Sequence, residues 1–500
     1  MTSRTVTTSV IVAVLIATLA CTLPAGAYRT AKTARKPGTT VTFTRDVAPI
    51  LFKNCASCHR PGEVAPFPLL TYQDAKKRAR QIAMVTASRF MPPWKADPNY
   101  GEFHDAMILS RQQIDTLKRW ADAGAPEGDR ADLPPAPRFT QGWTLGEPDL
   151  VLEPKETYTL GPEGSDEYRC FVVPSNLQED RYISAMEVRP GNNAVVHHVL
   201  VFLDTTGKAR ELDARDPTPG YTAFGGIGFT PSGSLGGWAP GNLPRHLPEG
   251  IGILIPKGAD VVLQVHYHRS GKPEKDRTKI GLYFARKEVD KQLRIMPVVS
   301  LRLRIPPGEA NYVTKASMPV LYDITVHQVT PHMHLLGREM TVTGVLPDGT
   351  QKPLVRIPDW DFNWQTTYAL KQPLRLPKGS SIQLVARYDN SDRNPRNPSN
   401  PPKPVGWGEA TTDEMCIAFV AYTIDAEHLT RGEVADDLFD FGNTTGRAGL
   451  RAALRNRNGN GLERLIKFFD DNQNGRLDPA EFLKALQALQ GILGEDNVRP

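Results

Sequence analysis

The sequence predicts a multidomain, mainly β protein: a small α-helical domain, two tandem antiparallel β-sandwiches and a short α-helical tail. Three observations carry this reading. From about Leu150 to Ile424 the chain is a succession of short β-branched or aromatic runs separated by Gly and Pro. Helical periodicity is confined to the stretches before and after that region. Finally, 500 residues with 40% hydrophobic and 23% charged side chains suffice for three or four domains with proper cores. Aromatics at 8% with mixed charge argue against wholesale disorder, and a net charge of +5 without a basic face points to neither a nucleic acid nor an anionic membrane as partner.

Residues 1–27 read as a signal peptide. Arg4 gives a positive start, Val10 to Ala20 is an apolar run too short to span a bilayer, and Ala25-Gly26-Ala27 is a small-x-small cleavage signal. The mature chain is expected to begin near Tyr28, to be exported to the periplasm or secreted, and to carry no transmembrane helix. Lipid attachment at Cys21 is the rival reading, against which Thr18 is a poor fit.

Residues 41–130 form the helical domain. Cys55-Ala56-Ser57-Cys58-His59 is the pattern that attaches c-type haem, two thioether anchors followed by a proximal histidine. A zinc site would need more ligands nearby, and only His104 is on offer. The segment resembles a small cytochrome c domain. Asp46 to Asn54 reads as the helix delivering the first cysteine, and Ser110 as the N-cap of a last helix with Ile114, Leu117, Trp120 and Ala121 on one face, ended by Gly124. Met91, in a loop stiffened by Pro92 and Pro93, is the best-placed sixth haem ligand, with Met107 and His104 as runners-up. Met84 is expected in the core of the preceding helix.

Residues 131–149, with Pro134, Pro135 and Pro137, read as a stiff linker. Strands are expected at Val195 to Phe202, Asp260 to His268, Lys279 to Phe284, Ser381 to Tyr388 and Cys416 to Tyr422, giving one sandwich over residues 150–285 and a second over 286–430. The Gly-dense stretch from Gly220 to Pro244 and the Pro/Asn-dense stretch from Asn394 to Pro404 read as surface connections. Cys170 and Cys416 lie far apart and no disulfide framework is expected.

Five imidazoles and a thioether stand out in this region: His197, His198, His266, His332, His334 and Met415. Imidazole holds copper in either oxidation state, while a soft thioether favours Cu(I) and argues against zinc, so this is the right stock for two copper ions. The bland alternative is core histidines and a packed methionine. On a strand, residues two apart share a face, so His332 and His334 can close on one metal. The neighbours His197 and His198 would point to opposite faces unless the strand twists or ends there, and spacing cannot choose between His266 and His268.

The order of motifs resembles the type II copper, ascorbate-dependent monooxygenases over roughly residues 148–424. The motifs are Tyr168-Arg169-Cys170, Val196-His197-His198, Leu263-Gln264-Val265-His266-Tyr267, His332-Met333-His334 with Gly337, and Asp413-Glu414-Met415-Cys416. The resemblance implies that His197, His198 and His266 hold an electron-transfer copper, while His332, His334 and Met415 hold the copper where dioxygen and a small-molecule substrate meet. The chemistry implied is hydroxylation of a C–H bond. His246, His268, His327 and His428 remain ordinary histidines, with His327 a candidate support for the His332 strand. Peptide-amidating members carry an arginine where this chain has Thr330, and an asparagine and tyrosine where it has Ile417 and Phe419, so a peptidylglycine substrate is not expected. Leu335 to Glu339 is closer to the dopamine-hydroxylating branch. The usual partners of Cys170 and Cys416 in animal members are absent.

Residues 431–500 are the helical tail. Asp470, Asn472, Asn474, Arg476 through its carbonyl, Asp478 and Glu481 occupy positions one, three, five, seven, nine and twelve of an EF-hand loop for calcium, with Gly475 at the turn. Taken together, the chain reads as an exported copper monooxygenase fed with electrons through its own haem c from an external cytochrome, quinol or ascorbate-like reductant. The alternative is a non-catalytic haem and copper electron-transfer or copper-binding protein.

Overall fold

The computed structural model describes residues 40–435, apart from 141, 224, 225 and 409. The signal segment and the EF-hand residues Asp470, Asn472, Asn474, Arg476, Asp478 and Glu481 lie outside the described residues.

A π-helical turn, Phe43–Val47, runs into α1 (Ala48–Asn54), which ends at Cys55. Helices α2 (Tyr72–Lys77) and α4 (Arg111–Asp122) each open on a capping box, Thr71 with Asp74 and Ser110 with Gln113, which satisfies backbone N–H groups that a helix start leaves orphaned. Between them lies α3 (Ala79–Ala87). Leu117 and Trp120 are fully buried against Phe43, Val47 and Leu51. Met84 departs from expectation: it faces solvent at 66% exposure, and Ala79, Ile82 and Thr86 are the residues that α3 buries. The loop before α4 leaves the helical core. Trp94, Ala96 and Phe103 pack with Tyr368 in the core of the second sandwich, where the Phe103 and Tyr368 ring centroids are 5.3 Å apart.

The linker is not a free spacer. Trp143 is buried, and the N–H groups of Thr144 and Leu145 donate to the buried carboxylate of Glu187 at 2.8 and 3.2 Å. Backbone groups docked on a strand face in this way hold their segment in place.

Each sandwich is two sheets sharing one apolar core. In the first, one sheet runs Leu150–Leu152, Lys279–Phe284, Arg181–Arg189, Ile251–Ile255, Lys291–Gln292, and the other runs Tyr221–Thr222, Glu167–Pro174, Asp260–Tyr267, Val196–Asp204, Gly233–Trp238. Lys291–Gln292 pairs in parallel with Ile251–Ile255, so this sandwich extends past residue 285. The Gly220 to Pro244 stretch, expected as surface connection, supplies the Gly233–Trp238 edge strand. A Cβ at Gly237 would sit 2.8 Å from Leu200 and 2.9 Å from the Val199 carbonyl, so only glycine permits that pairing distance.

The second sandwich stacks Arg294–Val299, Ile417–Ile424, Ile324–His332, Tyr368–Leu376 on Tyr312–Pro319, Ser381–Tyr388, Gly337–Val345, Gln351–Ile357. Its first residue, Arg294, forms a buried bidentate pair with Glu427 at 2.6 and 2.9 Å, tying the first strand to the segment beyond the last. Removing one partner of a buried pair leaves an uncompensated charge. Arg294→Ala is therefore expected to cost about 3–5 kcal/mol, measured by urea denaturation, with Arg294→Ala/Glu427→Leu recovering part of the loss.

Candidate metal centres

The ladder joining Val196–Asp204 to Asp260–Tyr267 slips between Val196 and His198, where a β-bulge inserts His197 as an extra residue. That slip lets adjacent side chains reach the same space, which a regular strand forbids. His198 stands directly opposite His266 in the ladder. The Nδ1 atoms of His197 and His198 are 3.2 Å apart, and those of His198 and His266 are 3.3 Å apart. Nitrogens about 2 Å from one metal ion are separated by roughly this much. His266 donates Nε2–H to Asp166 at 2.9 Å, since a carboxylate can only accept, which turns its Nδ1 lone pair towards the cluster. Tyr168 stacks on the other face of His266, centroids 4.2 Å apart. The buried Nε2 of His197 has no hydrogen-bond partner. A cluster of lone pairs turned inward fits a bound cation better than a hydrogen-bonded core, so these residues fit copper. His268 lies past the strand end, exposed, with Nδ1 3.1 Å from Asp166, and takes no place in the cluster.

The second group forms at a strand end. His332 closes Ile324–His332 opposite Ile417, where the ladder ends, and His334 and Met415 lie just beyond it on the two chain segments. Glu414 fixes this corner. Its carboxylate, with no exposed surface, accepts the backbone N–H groups of His334 at 2.9 Å, Leu336 at 2.6 Å and Met415 at 3.3 Å. Both histidines use Nδ1 as donor. His334 donates to the Asp413 carbonyl at 3.1 Å and His332 to Gln365 Oε1 at 2.5 Å, whose orientation is set because Gln365 Nε2 donates to the Phe362 carbonyl. Each ring therefore keeps an Nε2 lone pair for a metal, and the rings stand 5.2 Å apart at 87°. His332, His334 and Met415 line one cavity with His198. These residues also fit copper.

Burial shapes the charges. It lowers all four imidazoles among His197, His198, His332 and His334, with His197 and His334 brought down to about 3. Burial raises Glu414 to about 8 against the N–H groups it accepts. For Asp166 burial pushes upward, but the hydrogen bonds it accepts from His266 and His268 outweigh it and hold the carboxyl at about 2.

In the helical domain His59 donates Nδ1–H to the Phe67 carbonyl at 3.0 Å, which keeps Nε2 as the lone-pair nitrogen, and Cys55 and Cys58 are half-buried. The donor set fits a covalently held haem. Cys58, His104 and Met107 line the same cavity, of about 770 Å³, that the copper candidates face, whereas Met91 is not among its lining residues and its N–H bonds the Val85 carbonyl. His327 sits at a second bulge, donating to or accepting from Thr423 at 3.0 Å, and makes no hydrogen bond to the His332 corner. His246 pairs with Ser184 and His428 with Asp290. Cys170 and Cys416 are free and buried in different sandwiches.

Sequence reasoning missed Asp166, Gln365, Phe362 and the role of Glu414. Only Glu414 carried a signal, its place beside Met415. In the comparison with known proteins, residues 293–434 match the copper type II ascorbate-dependent monooxygenase, C-terminal domain. Individual proteins are similar over a longer stretch. Putative DBH-like monooxygenase protein 2 of Homo sapiens is 25% identical over 297 residues, covering 55% of this chain and 57% of that protein. Peptidyl-glycine alpha-amidating monooxygenase B of Xenopus laevis is 25% identical over 309 residues, 57% of this chain and 32% of that protein. Tyramine beta-hydroxylase of Caenorhabditis briggsae is 24% identical over 291 residues, 52% and 46%. The chain thus spans about half, or less, of the length of these relatives. Among solved structures, the major capsid protein P2 of bacteriophage PM2 aligns at 10% identity, over 55% of this chain and 97% of that one, with a TM-score of 0.23, too loose to carry an argument.

Glu414→Ala would leave the N–H groups of His334 and Leu336 buried and unpaired, at about 1–3 kcal/mol each. Lower thermal stability together with loss of one copper per chain is expected by calorimetry and metal analysis. A second expectation concerns pH. The four imidazoles have folded values below the unfolded 6.5, so the unfolded chain binds more protons between about pH 3 and 6.5 and stability falls as pH drops through that window. Glu414, raised, acts in the opposite sense. Metal-stripped protein should therefore denature at lower urea at pH 5 than at pH 7, with a larger difference in Glu414→Gln.

Proposed function

We propose that this chain is an exported copper-dependent monooxygenase that hydroxylates a C–H bond of a small organic substrate with dioxygen. The observation that carries it is the pair of inward-turned donor sets, three Nδ1 atoms in one sandwich and two Nε2 lone pairs with Met415 in the other, with His198 of the first set lining the same cavity as His332, His334 and Met415 of the second. The likeness of residues 293–434 to a copper monooxygenase domain, and the monooxygenase and hydroxylase names of the relatives, support it. Copper bound at these residues supplies one-electron and dioxygen chemistry.

The chain's own groups do the rest. Burial favours the neutral form of His197, His198, His332 and His334, so protons compete less for their lone pairs. Asp166 and Gln365 fix tautomers by accepting the outer N–H of His266 and His332. Ile295, Ile417 and Phe419 give the cavity apolar walls beside Met415, and Thr330, bonded to Thr367 at 2.9 Å, offers a hydroxyl where a guanidinium would be needed to grip a carboxylate. The substrate on this reading is not a C-terminal peptide glycine.

Haem held at Cys55, Cys58 and His59 would carry electrons in from an external cytochrome, quinol or ascorbate-like donor. The cavity that runs from Cys58 to the copper candidates supports this. Calcium at the Asp470 to Glu481 loop belongs to the same proposal as a structural ion for the tail.

Metal analysis of exported full-length protein should find two copper ions and one haem. Met415→Ile or His332→Ala should abolish oxygen-dependent product while His197→Ala abolishes turnover but leaves copper at the methionine site. Cys55→Ser/Cys58→Ser should collapse oxygen consumption with a cytochrome or quinol donor. Unchanged turnover with that donor would reject the haem route.

A further inference from the structure

One loop between Gln351–Ile357 and Tyr368–Leu376 touches both donor sets. The Phe362 ring stacks on His197, centroids 4.9 Å apart and 18° from parallel, and meets His334 edge-on at 5.8 Å and 84°. It is thus sandwiched between one imidazole from each sandwich domain. Its neighbours anchor it: Trp360 Nε1 donates to the His334 carbonyl at 3.0 Å, and the Phe362 carbonyl accepts from Gln365, which in turn accepts from His332. A second bridge lies beside the first. Asp166, which orients His266, also accepts from the hydroxyl of Thr411 at 3.2 Å, on the segment that leads to Met415.

Resting on the two-copper reading, we propose that Phe362 is a positioning residue that sets the separation of the two metal sites. The ring fills the gap between His197 and His334 with a rigid apolar plate, and the Asp166 to Thr411 hydrogen bond prevents the sandwiches from parting at that edge. The two sites are then held at one fixed spacing beside the cavity they share. Copper held by His197, His198 and His266 and copper held by His332, His334 and Met415 would exchange one electron at a time, the first going from Cu(I) to Cu(II) as the second is reduced by the same electron, and Phe362 would fix the separation over which that electron passes.

The test uses the full-length protein loaded with Cu(II), copper content measured first, and the Cu–Cu distance distribution read by pulsed EPR. Wild type should give one short, narrow distance. Phe362→Ala and Thr411→Val, which removes the hydroxyl that reaches Asp166 but keeps the carboxylate on His266, should each give a longer or broader distribution with two copper ions retained, and Phe362→Leu, which keeps apolar bulk and guards against simple misfolding, should fall between. A chain that takes up fewer than two copper ions overturns the two-copper reading and this inference with it. Two copper ions with a distribution unchanged in Phe362→Ala, or broad already in wild type, overturn this inference alone.

Discussion

A carboxylate sealed from water holds the catalytic corner of the proposed enzyme together. Glu414 accepts N–H groups from both sides of the turn, His334 and Leu336 on one strand exit and its own neighbour Met415 on the other. No backbone carbonyl can do this, because the antiparallel ladder has already ended at His332 and Ile417 and the N–H groups beyond it point into the gap. Burying a carboxyl is costly, and its raised affinity for a proton is the visible sign of that cost. Three N–H donors offset it. The consequence is that His334 and Met415 are placed by one rigid group instead of by two independent loops.

The first donor set solves a different geometric problem. Strand alternation would send His197 and His198 apart, and a bulge is the least disruptive way to bring them together, since it inserts one residue and leaves Val199 to Asp204 in register. Placing the bulge at the strand's start, beside the buried His266, lets the apolar remainder of the sheet keep its core. Both donor sets therefore sit where ladder pairing is interrupted, one at a bulge and one at a ladder end. Interrupted pairing frees side-chain directions that a regular strand forbids.

This explains what could be read from the sequence. The clustered histidines and Met415 stand out because residue type alone suggests their chemistry, and the strands at Lys279–Phe284 and Ser381–Tyr388 because β-branched runs between Gly and Pro have few alternatives. The partners of those ligands are not. Asp166, Phe362 and Gln365 are common residues whose roles exist only once strands 100 or 33 positions away are paired. Gly220 to Pro244 misleads for a related reason: glycine density signals a loop unless a neighbouring strand demands close approach, as Val196–Asp204 does at Gly237. Met84 misleads because α3 is short, and Ile82 and Thr86 already fill the face turned inward.

Charge is distributed unevenly along the cavity, and the distribution suits the proposed division of labour. Near Cys58 the wall carries ions, but they are paired: Glu63 bridges Arg60 at 2.7 Å and Arg189 at 3.1 Å, and Arg245 holds Asp105. Around His332, His334 and Met415 the described lining is neutral, made of amides, hydroxyls and apolar strand faces such as Ile417 and Ala421. Paired ions at the helical end can tolerate a change of charge when an electron arrives, because solvent and counter-charge are close by. A neutral, drier end strengthens every remaining dipole and leaves the metal as the largest local charge. On the proposed reading one cavity would admit electrons at its polar end and host oxygen chemistry at its apolar one, provided His197, His198, His332 and His334 stay uncharged. Their burial secures that condition.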